Sequence, residues 1–419
     1  MTKVKFIHTG DIHMDTPFKG LLDNTELRKK LKRASDDSFK HVVDMAIQKQ
    51  VDFVVITGDI FDADQQSFLA QYRFIDQLTR LSRNNISTYF ICGNHDPLLS
   101  WSPYLKLPKL VYRFSENEFE SYIYKKDGLK IAISGMSYQN ATPPSNLISY
   151  YNEPVSADFS IALYHGNIGN QSGHDNAAPA AMESLINKQF DYWALGHIHK
   201  PMLLRKSTPV IAYPGIPQGR DFGESGNKGF YLIEWDSQFP EPLLQFIPNA
   251  SVRFESLLID ISNITNIYDL PEIIEQQKTN IPDYQENCRY MLRIFLTGTA
   301  PLHADLQNEQ TLEEIKQSFN EHHLYSGYFS WIDKIEAHTK PDIDLTERAQ
   351  TNDFIGSILQ DFNTLESDST QAEELLNTLA NHFKSEARHR YLDLDSILQN
   401  KTEILTQAKW KLLNHFKLD

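Results

Sequence analysis

Five short groups of metal-ligand residues occur in the first half of the chain, and each follows a run of apolar residues. Asp and His recur in the groups, and Asn occurs once. The groups are Asp11-Ile12-His13, Gly58-Asp59-Ile60-Phe61-Asp62, Gly93-Asn94-His95-Asp96, Tyr164-His165-Gly166 and Gly196-His197-Ile198-His199. Carboxylate, amide and imidazole groups without thiolate favour Mn, Fe or Zn over a purely oxygen-bound Ca²⁺. The set is large enough for two adjacent cations.

The spacing of these residues divides them between two sites. We expect the first cation to be bound by Asp11, His13, Asp59 and His199, and the second by Asp59, Asn94, His165 and His197. Asp59 is the predicted bridge because a carboxylate can offer one oxygen to each cation. Two neighbouring cations of this kind generate a nucleophile from water and stabilise phosphoryl charge during in-line displacement at phosphorus. The predicted chemistry is therefore phosphoester hydrolysis.

Other polar residues near the ligands have predicted supporting roles. His95 points elsewhere if Asn94 binds metal, so we expect His95 to contact phosphate or to protonate the leaving alkoxide. The alternative is that His95 is itself a ligand or orients one. Asp62 and Asp96 are expected to hold His95 or the metal histidines by hydrogen bonds, with direct metal binding as the alternative. His174, in a polar loop, is a candidate substrate contact or an ordinary surface residue.

The apolar runs have the length and composition of buried strands. The predicted strands are residues 4–9, 52–57, 86–92, 129–134, 159–164, 192–195, 210–213 and 230–235. Amphipathic segments at 27–50 and 67–81, the second with Ser67 as its N-cap, alternate with the first strands. This order predicts a parallel sheet covered by helices, with the ligands at the carboxyl ends of the strands. His8 and Cys92 are expected to be structural residues of the core.

The pattern changes after Pro240 and Pro242, where the first predicted domain, residues 1–247, ends. A small α+β domain is predicted at 250–340, and residues 345–419 are predicted to be helical. The strands of the small domain are predicted at 254–261, 290–297 and 329–338, and its helices at 269–278 and 311–322. Capping boxes are predicted at Thr311-x-x-Glu314 and Thr370-x-x-Glu373. The tail helices either pack onto the body or present an apolar face to a partner.

Composition limits the classes of function. The formal net charge of the 419-residue chain is −15, from 55 acidic and 40 basic residues. This weighs against binding of nucleic acid by a general basic surface, so a long polyanion would be held by local patches or by a partner. Two cysteines fit a reducing cytosol, and no signal peptide or membrane-spanning stretch is recognised. We expect a cytoplasmic protein with no membrane association.

The five groups resemble the motif series of the calcineurin-like metallophosphoesterase superfamily, which runs D-x-H, G-D-x-x-D, G-N-H-D or G-N-H-E, a lone H, and G-H-x-H. Residues 8–13, 58–62 and 196–199 are most similar to the SbcD-type DNA repair exonucleases, and the chain to their YhaO-like subgroup. The resemblance implies an α/β fold. It consists of a metallophosphoesterase β-sandwich core flanked by helices, a small α+β capping domain and a C-terminal helical tail. It also implies two divalent ions, Mn in this branch, with the ligands given above and His95 as the catalytic residue.

The same resemblance implies a Mn-dependent phosphodiesterase that acts on DNA, as exonuclease and endonuclease, in an SbcCD-like DNA repair complex. The small domain would contact DNA, the tail would dock near the base of an SbcC-like coiled-coil ATPase of the YhaN type, and the chain would form a homodimer. Two departures affect the substrate: Asp15 adds a carboxylate near His13, and Ile216 stands where the branch has a hydroxyl side chain. The candidates to replace that phosphate contact are Gln218, Arg220 and Lys228.

Two other functions fit the same residues. One is a small-substrate phosphodiesterase or nucleotidase, which the net charge of −15 favours. The other is a DNA-end-binding scaffold for the ATPase, against which the complete ligand set and His95 argue. The two regions that follow the first domain favour the nuclease.

Overall fold

The apolar runs before the first three ligand groups form neighbouring parallel strands in the computed structural model. These strands are β1 (Lys3–Thr9), β2 (Phe53–Thr57) and β3 (Ser87–Ile91). Every residue of β2 is buried, because both faces of the sheet are covered, and its sequence is accordingly apolar from Phe53 to Ile56. The structure describes residues 2–16, 27, 31, 33–62, 67–169, 176–323, 326–342, 344–385 and 400–413.

Two six-stranded sheets are present in the described part of the chain. Their other strands are β4 (Val111–Arg113), β5 (Glu120–Lys126), β6 (Leu129–Gly135), β7 (Phe159–His165), β8 (Tyr192–Gly196), β9 (Met202–Arg205), β10 (Val210–Tyr213), β11 (Gly229–Asp236) and β12 (Leu243–Pro248). The first sheet has the order β12-β11-β1-β2-β3-β4, and the second has the order β5-β6-β7-β8-β10-β9.

Both sheets are mixed, which corrects the expectation of one parallel sheet. β11 runs antiparallel to β1, β12 runs antiparallel to β11, and β5 and β6 form a hairpin. The hairpin turn is Asp127-Gly128, where φ is +49° and +89°. Positive φ at both central residues is the geometry that matches the twist of antiparallel strands, and Asp-Gly favours it. The second sheet consists of β5 to β10, which follow the first four strands in the chain. The chain then returns to the first sheet in β11 and β12.

Inward-facing residues of the two sheets form the core of a β-sandwich. Phe6, Val55 and Ile91 of the first sheet lie in one buried cluster with Ile161 and Ala194 of the second. Alternate positions of β1 point into this cluster and the others point outward, as the two-residue period of a strand requires. The predicted β-sandwich core is confirmed.

Helices cover the outer face of the first sheet. They are α1 (Ala34–Gln48) and α2 (Phe68–Arg83), and the predicted helix over 27–50 is therefore found from Ala34 onward. The rings of Phe39 and Phe74 stack across the two helices with centroids 5.3 Å apart, and both side chains belong to the same buried cluster as Ile56 of β2. The α/β class with flanking helices is thus confirmed.

Packing divides the chain into two compact units whose segments alternate along the sequence. The first comprises Met1–Ser256, Ile281–Leu292 and His323–Asp333, and the second comprises Leu257–Asn280, Arg293–His322 and Lys334–Asp419. Strands β13 (Val252–Asp260), β14 (Arg289–Thr299) and β15 (Ser330–Lys340) form a three-stranded sheet in that order, and each has residues in both units. The division into three consecutive domains stays a prediction.

The remaining helices begin and end as follows: α3 (Met182–Ile186), α4 (Leu270–Lys278), α5 (His303–Leu306), α6 (Glu309–His323), α7 (Leu345–Arg348), α8 (Phe354–Ser367), α9 (Ser369–Ser385) and α10 (Lys401–Leu413). Short 3₁₀ turns occur at Leu98–Ser100, Leu147–Tyr150, Phe222–Glu224 and Ile267–Asp269. The C-terminal helical region is confirmed, and Ala349, Leu359 and Leu413 form its buried cluster. Within the described ranges, no helix combines the length and apolar character that crossing a membrane requires.

Three predicted helix starts have different outcomes. Ser67 caps α2 as predicted, since its hydroxyl oxygen accepts from Ala70 N–H at 3.0 Å. The capping boxes predicted at Thr311 and Thr370 are wrong. The helices begin earlier, because Asn308 Oδ1 accepts from Gln310 N–H at 2.9 Å and Asp368 Oδ1 accepts from Thr370 N–H at 2.9 Å. Asn and Asp are at least as effective as Thr at such positions.

Candidate metal centre

The ligand groups lie where the carboxyl edges of the two sheets meet. Asp11, Asp59 and Asn94 follow β1, β2 and β3 of the first sheet, whereas His165 and His197 lie at the ends of β7 and β8 of the second. A hydrogen bond joins the two edges directly, since His197 N–H donates to Asp11 Oδ1 at 2.9 Å. The ligands lie together at strand ends, as the sequence predicts, although the strands belong to two sheets.

The backbone at several ligands is left-handed. The angle φ is +48° at Asp11 and His13, +49° at Asp59 and +95° at His197. This conformation costs a residue other than glycine about 1–3 kcal/mol and is concentrated at functional sites. Hydrogen bonds between the turns offset the cost, because Asp11 N–H donates to Gly58 O at 2.9 Å and His13 N–H donates to Asp59 O at 3.1 Å.

The first cluster contains Asp11, His13 and His199, whose ligand atoms all lie within 4.8 Å of one another. Nε2 of His13 and Nε2 of His199 face each other at 3.3 Å. Two neutral imidazoles in this arrangement can share only one N–H, whereas a cation between the two lone pairs would satisfy both nitrogens. Three of the four ligands predicted for the first cation are thus together.

The second cluster contains Asp59, His165 and His197 within the same 4.8 Å limit. Asn94 joins it, because its Oδ1 lies 2.9 Å from His165 Nε2, and Asp59 Oδ2 lies 3.3 Å from the same nitrogen. All four ligands predicted for the second cation are therefore together. Asp59 groups with this cluster, and its role as a bridge stays a prediction. The donor set fits divalent transition metals.

Hydrogen bonds behind the ligands fix which imidazole nitrogen faces the centre. Nδ1–H of His165 donates to Thr57 O at 2.8 Å, and Nδ1–H of His199 donates to Glu224 Oε1 at 2.6 Å. Both rings therefore present Nε2 to the cluster atoms. Such outer bonds are typical of metal-binding histidines, because they set the tautomer and the orientation of the ring.

Burial and neighbouring charges set the protonation of the ligands. Burial raises the pKa of Asp11 to about 6, against the opposing charges of His165 and His199. Burial would also raise the pKa of Asp59, but His165 holds it well below its usual range. Burial would lower the pKa of His165, but Asp59 raises it to about 9. Asp59 and His165 thus form a buried ion pair, in which a cation at Nε2 would replace the proton.

His95 lies beside the ligands and is paired with a carboxylate. Its Nδ1 is 3.0 Å from Asp62 Oδ1, and its side chain is 39% exposed. The hydrogen bond to Asp62 raises the pKa of His95, and the same bond lowers the pKa of Asp62 to about 2. Ligand atoms of His95 and Asp62 also lie within 4.8 Å of His13. This arrangement allows His95 to deliver a proton through Nε2.

Asp96 bonds to the backbone of two ligand turns. Its Oδ1 accepts from Asp59 N–H at 3.0 Å and from Gly93 N–H at 2.7 Å. The expected role as a partner of histidine rings is therefore replaced by one as a support for the turns after β2 and β3. Gly93 is required there, because a Cβ at this position would lie 2.2 Å from Asp59 Oδ1.

Glu224 is a site residue that the motif series does not reveal. It lies in the segment between β10 and β11 and accepts from both His199 and Arg220, whose Nη2 is 2.7 Å from Glu224 Oε1. Burial would raise the pKa of Glu224, but these hydrogen bonds hold it below its usual range. The one signal in the sequence is the spacing of an acidic residue four positions after Arg220.

The other candidates have separate environments. Arg220 lies at the site, with Nη2 3.1 Å from His199 Nδ1. Gln218 and Lys228 are 1% and 6% exposed, so neither presents its side chain to a substrate as their candidacy requires. His174 lies outside the described residues. His8 is buried in the core as predicted, hydrogen-bonded to Tyr192 and Leu195.

Two family models match the chain. One, described as calcineurin-like phosphoesterase, matches residues 4–201, and the other, described as the middle domain of the metallophosphoesterase YhaO, matches residues 254–340. The uncharacterised metallophosphoesterase YhaO of Bacillus subtilis (strain 168) is 31% identical over 385 residues, which cover 91% of this chain and 91% of that protein. The chain belongs to the YhaO-type calcineurin-like metallophosphoesterases. It is therefore a metal-dependent phosphoesterase.

This YhaO-type phosphoesterase is also similar to proteins named DNA double-strand break repair protein Mre11. The one from Sulfolobus acidocaldarius is 24% identical over 81% of this chain and 88% of its own length. The one from Saccharolobus solfataricus is 29% identical over 70% of this chain and 75% of its own length. A solved dimetal phosphatase from Danio rerio is 13% identical, covers 59% of this chain and 99% of its own, and has a TM-score of 0.36, too low for a comparison of detail.

Replacing one histidine of each cluster should remove one cation at a time. We expect His165→Ala and His199→Ala each to lower the number of tightly bound Mn²⁺ ions from two to one. Each substitution removes an imidazole nitrogen, Nε2, that faces the other ligand atoms of its cluster. Isothermal titration calorimetry measures the number. His338→Ala, at a histidine whose side chain is 56% exposed, is the control and should still bind two ions. Two bound ions in either cluster variant would contradict the ligand assignment.

Proposed function

We propose that this phosphoesterase hydrolyses phosphodiester bonds of DNA, as exonuclease and endonuclease, in an SbcCD-like DNA repair complex. The observation that carries the proposal is the meeting of two ligand clusters beside an aspartate-paired histidine at one edge of the sandwich. Support for DNA as the substrate comes from the relatives. The two proteins given above that are named for DNA double-strand break repair align with 81% and 70% of this chain.

The proposed chemistry uses the site as follows. Two divalent cations, which we propose to be Mn, would supply positive charge for the phosphoryl oxygens and a nucleophile from water. Asp11, His13 and His199 would hold one of them, Asn94, His165 and His197 would hold the other, and Asp59 would be a ligand of both. His95 protonates the leaving oxygen through Nε2, since Nδ1 is bonded to Asp62. Asp62 orients the imidazole and favours its protonated form.

Arg220 is the proposed phosphate contact. Its guanidinium is anchored by Glu224, and its Nη2 lies 3.1 Å from Nδ1 of His199, so its positive charge lies beside a proposed ligand of the first cluster. A guanidinium offers several N–H donors in a plane that matches phosphate oxygens. Arg220 thereby supplies the contact that Ile216, which has no hydroxyl, does not.

His95→Ala should abolish most of the hydrolysis without removing the cations. On linear duplex DNA with Mn²⁺ we expect kcat to fall about 100- to 10,000-fold, the range for loss of a general acid. A smaller fall is expected on bis(p-nitrophenyl) phosphate, because p-nitrophenolate is a good leaving group that needs little protonation. Calorimetry should still show two bound Mn²⁺ ions, because the His95 ring is assigned to neither cluster.

The same assays separate the competing functions. Hydrolysis of the small diester by the wild-type protein, with no hydrolysis of DNA in the presence or absence of the ATPase, would support a small-substrate phosphodiesterase and exclude the nuclease. The net charge of −15 is the observation that favours this second candidate. DNA retention with the ATPase, but hydrolysis of neither substrate, would instead indicate an end-binding scaffold.

We propose that the C-terminal helices dock on an SbcC-like coiled-coil ATPase of the YhaN type, which would hold DNA for an acidic nuclease subunit. Leu375 and Leu379 lie one helical turn apart on α9 and are 38% and 43% exposed. Phe354, at the start of α8, is 66% exposed. Large apolar side chains exposed together at helical spacing are typical of helix faces that bind another protein.

Leu375→Glu combined with Leu379→Glu should prevent complex formation with the coiled-coil ATPase, because a charge would be buried in an apolar contact. Size-exclusion chromatography of the two purified proteins measures the complex. Glu374→Ala, at an exposed neighbour on the same helix, should leave the complex unchanged. Co-elution of the double variant at the wild-type level would exclude this docking face.

We also propose that the chain forms a homodimer through an apolar patch on the first unit. The patch consists of the exposed side chains of Phe68, Leu69, Tyr72, Leu99 and Tyr104. The segment that carries Leu99 and Tyr104 lies against α2, because Ser102 N–H donates to Gln71 Oε1 at 2.9 Å. Exposed patches of this kind are more common at interfaces than on monomer surfaces.

Leu69→Glu combined with Tyr72→Glu should convert the dimer to a monomer in analytical ultracentrifugation. Leu243→Glu is the matched control, because Leu243 is also exposed but lies on the edge strand β12, away from α2. The homodimer proposal fails if the wild-type protein is monomeric at all accessible concentrations.

A further inference from the structure

The segment between β10 and β11 holds His199 at two points. Ile216 N–H donates to His199 O at 3.3 Å, and Glu224 Oε1 accepts from the ring, while Arg220 lies beside the ring and is bonded to Glu224. We call residues 214–224 of this segment the ligand loop. The position of one predicted metal ligand therefore depends on a loop that itself carries none of the seven ligands.

Gln218 lies in the ligand loop, and both ends of its buried amide are hydrogen-bonded to backbone. Nε2 donates to Gly219 O and to Val252 O, each at 2.7 Å. Oε1 accepts from Ser251 N–H at 2.9 Å and from Val252 N–H at 3.1 Å. The side chain therefore joins the loop to the first residues of β13.

Two hydroxyl groups extend this network to α1. Ser38 Oγ lies 2.9 Å from Gln218 Oε1, and Ser251 Oγ lies 3.0 Å from it. Ser251 Oγ is also 3.1 Å from Ala34 O, so its single hydrogen can serve either acceptor. Gln218 is thus the residue through which the ligand loop takes part in this network with α1 and the start of β13.

An apolar side chain at position 218 would remove hydrogen bonds from several backbone groups. The N–H and C=O of Val252, which is buried, would each lose a hydrogen bond, and a buried polar group left unsatisfied is costly. The N–H of Ser251 would lose one of its two acceptors and keep Ser38 Oγ at 3.2 Å. The loop would relieve this cost by moving away from β13. Such a movement would displace Arg220 and Glu224, which lie two and six residues farther along the chain and are hydrogen-bonded to each other.

We propose that Gln218 is a positioning residue of the metal centre: it fixes the ligand loop so that Glu224 and Arg220 orient His199 toward the first cluster. The inference rests on the metal assignment made under the proposed function. It predicts that a residue with no contact to any cation controls the affinity of one of the two. A purely structural role for Gln218 predicts a loss of stability with no selective effect on metal binding.

The test compares Gln218→Met, which keeps the size of the side chain but removes its hydrogen bonds, with Asn249→Ala. Asn249 Nδ2 donates to Ser38 O at 2.8 Å, so this control weakens the same network without touching Gln218. In Gln218→Met we expect the affinity for one Mn²⁺ to fall about tenfold, the lower end of the effect of losing a partner of a metal-binding histidine, with the other unchanged. In Asn249→Ala both affinities should equal those of the wild-type protein.

A second measurement does not require the metal. The N–H of Arg220 donates to Glu224 Oε2 at 2.8 Å, and this bond exists only while the ligand loop is ordered. Hydrogen exchange of the metal-free full chain should therefore be faster across residues 219–224 in Gln218→Met than in Asn249→Ala.

The outcomes separate the inference from the assignment on which it rests. If both variants weaken Mn²⁺ binding in proportion to their loss of thermal stability, or if Gln218→Met binds two ions as the wild-type protein does, Gln218 is only structural. His199→Ala is the reference variant. If it binds both ions with wild-type affinity, the assignment of the first cluster fails, whatever the behaviour of Gln218→Met.

Discussion

A buried polar junction between the two sheets determines the geometry of the metal centre. Nε2–H of His8, on β1, donates to Leu195 O of β8 at 3.1 Å, and Nδ1 accepts from Tyr192 O–H at 2.8 Å. Thr57 Oγ1, at the end of β2, lies 3.2 Å from the same carbonyl oxygen of Leu195. Separating the sheets would leave these groups unsatisfied, at about 1–3 kcal/mol each. Burial lowers the pKa of His8 to about 3, so it remains neutral beside a cluster of charges.

Three histidines of the site make the same kind of hydrogen bond through Nδ1 but differ in burial and in their partners. His165, His199 and His95 each use Nδ1 for a bond that points away from the reacting centre. His165 is completely buried and faces Asp59, so its Nε2 is suited to a cation. His95 is partly exposed and faces Asp62, so its Nε2 is suited to a substrate proton. Burial and the identity of the partner, rather than the residue type, separate the proposed ligand from the proposed acid.

The parts of the structure that the sequence predicts are those with a strong local pattern. Strands such as β2 and β10 are buried on both faces, and their continuous apolar runs identify them. β5 consists of half-buried residues and two exposed ones, and β4 has only three residues, so neither contains a distinct apolar run. Glu224 could not be identified, because acid–base pairs at this spacing are common on surfaces and its partner His199 is distant in sequence. The wrong caps at Thr311 and Thr370 show that local pattern cannot choose between two adequate capping residues.

The left-handed turns and the origin of the ligands in two sheets have a thermodynamic consequence. No single segment of the chain contains a complete cluster, so a peptide cut from this protein would not chelate a cation with the affinity of the folded domain. A bound cation would instead act as a cross-link between the sheets. At a free concentration of 100 times its Kd, one such ion would stabilise the folded state by about 2.7 kcal/mol. The concentration of metal in the surroundings would then affect the free energy of unfolding of the sandwich as well as its capacity for chemistry.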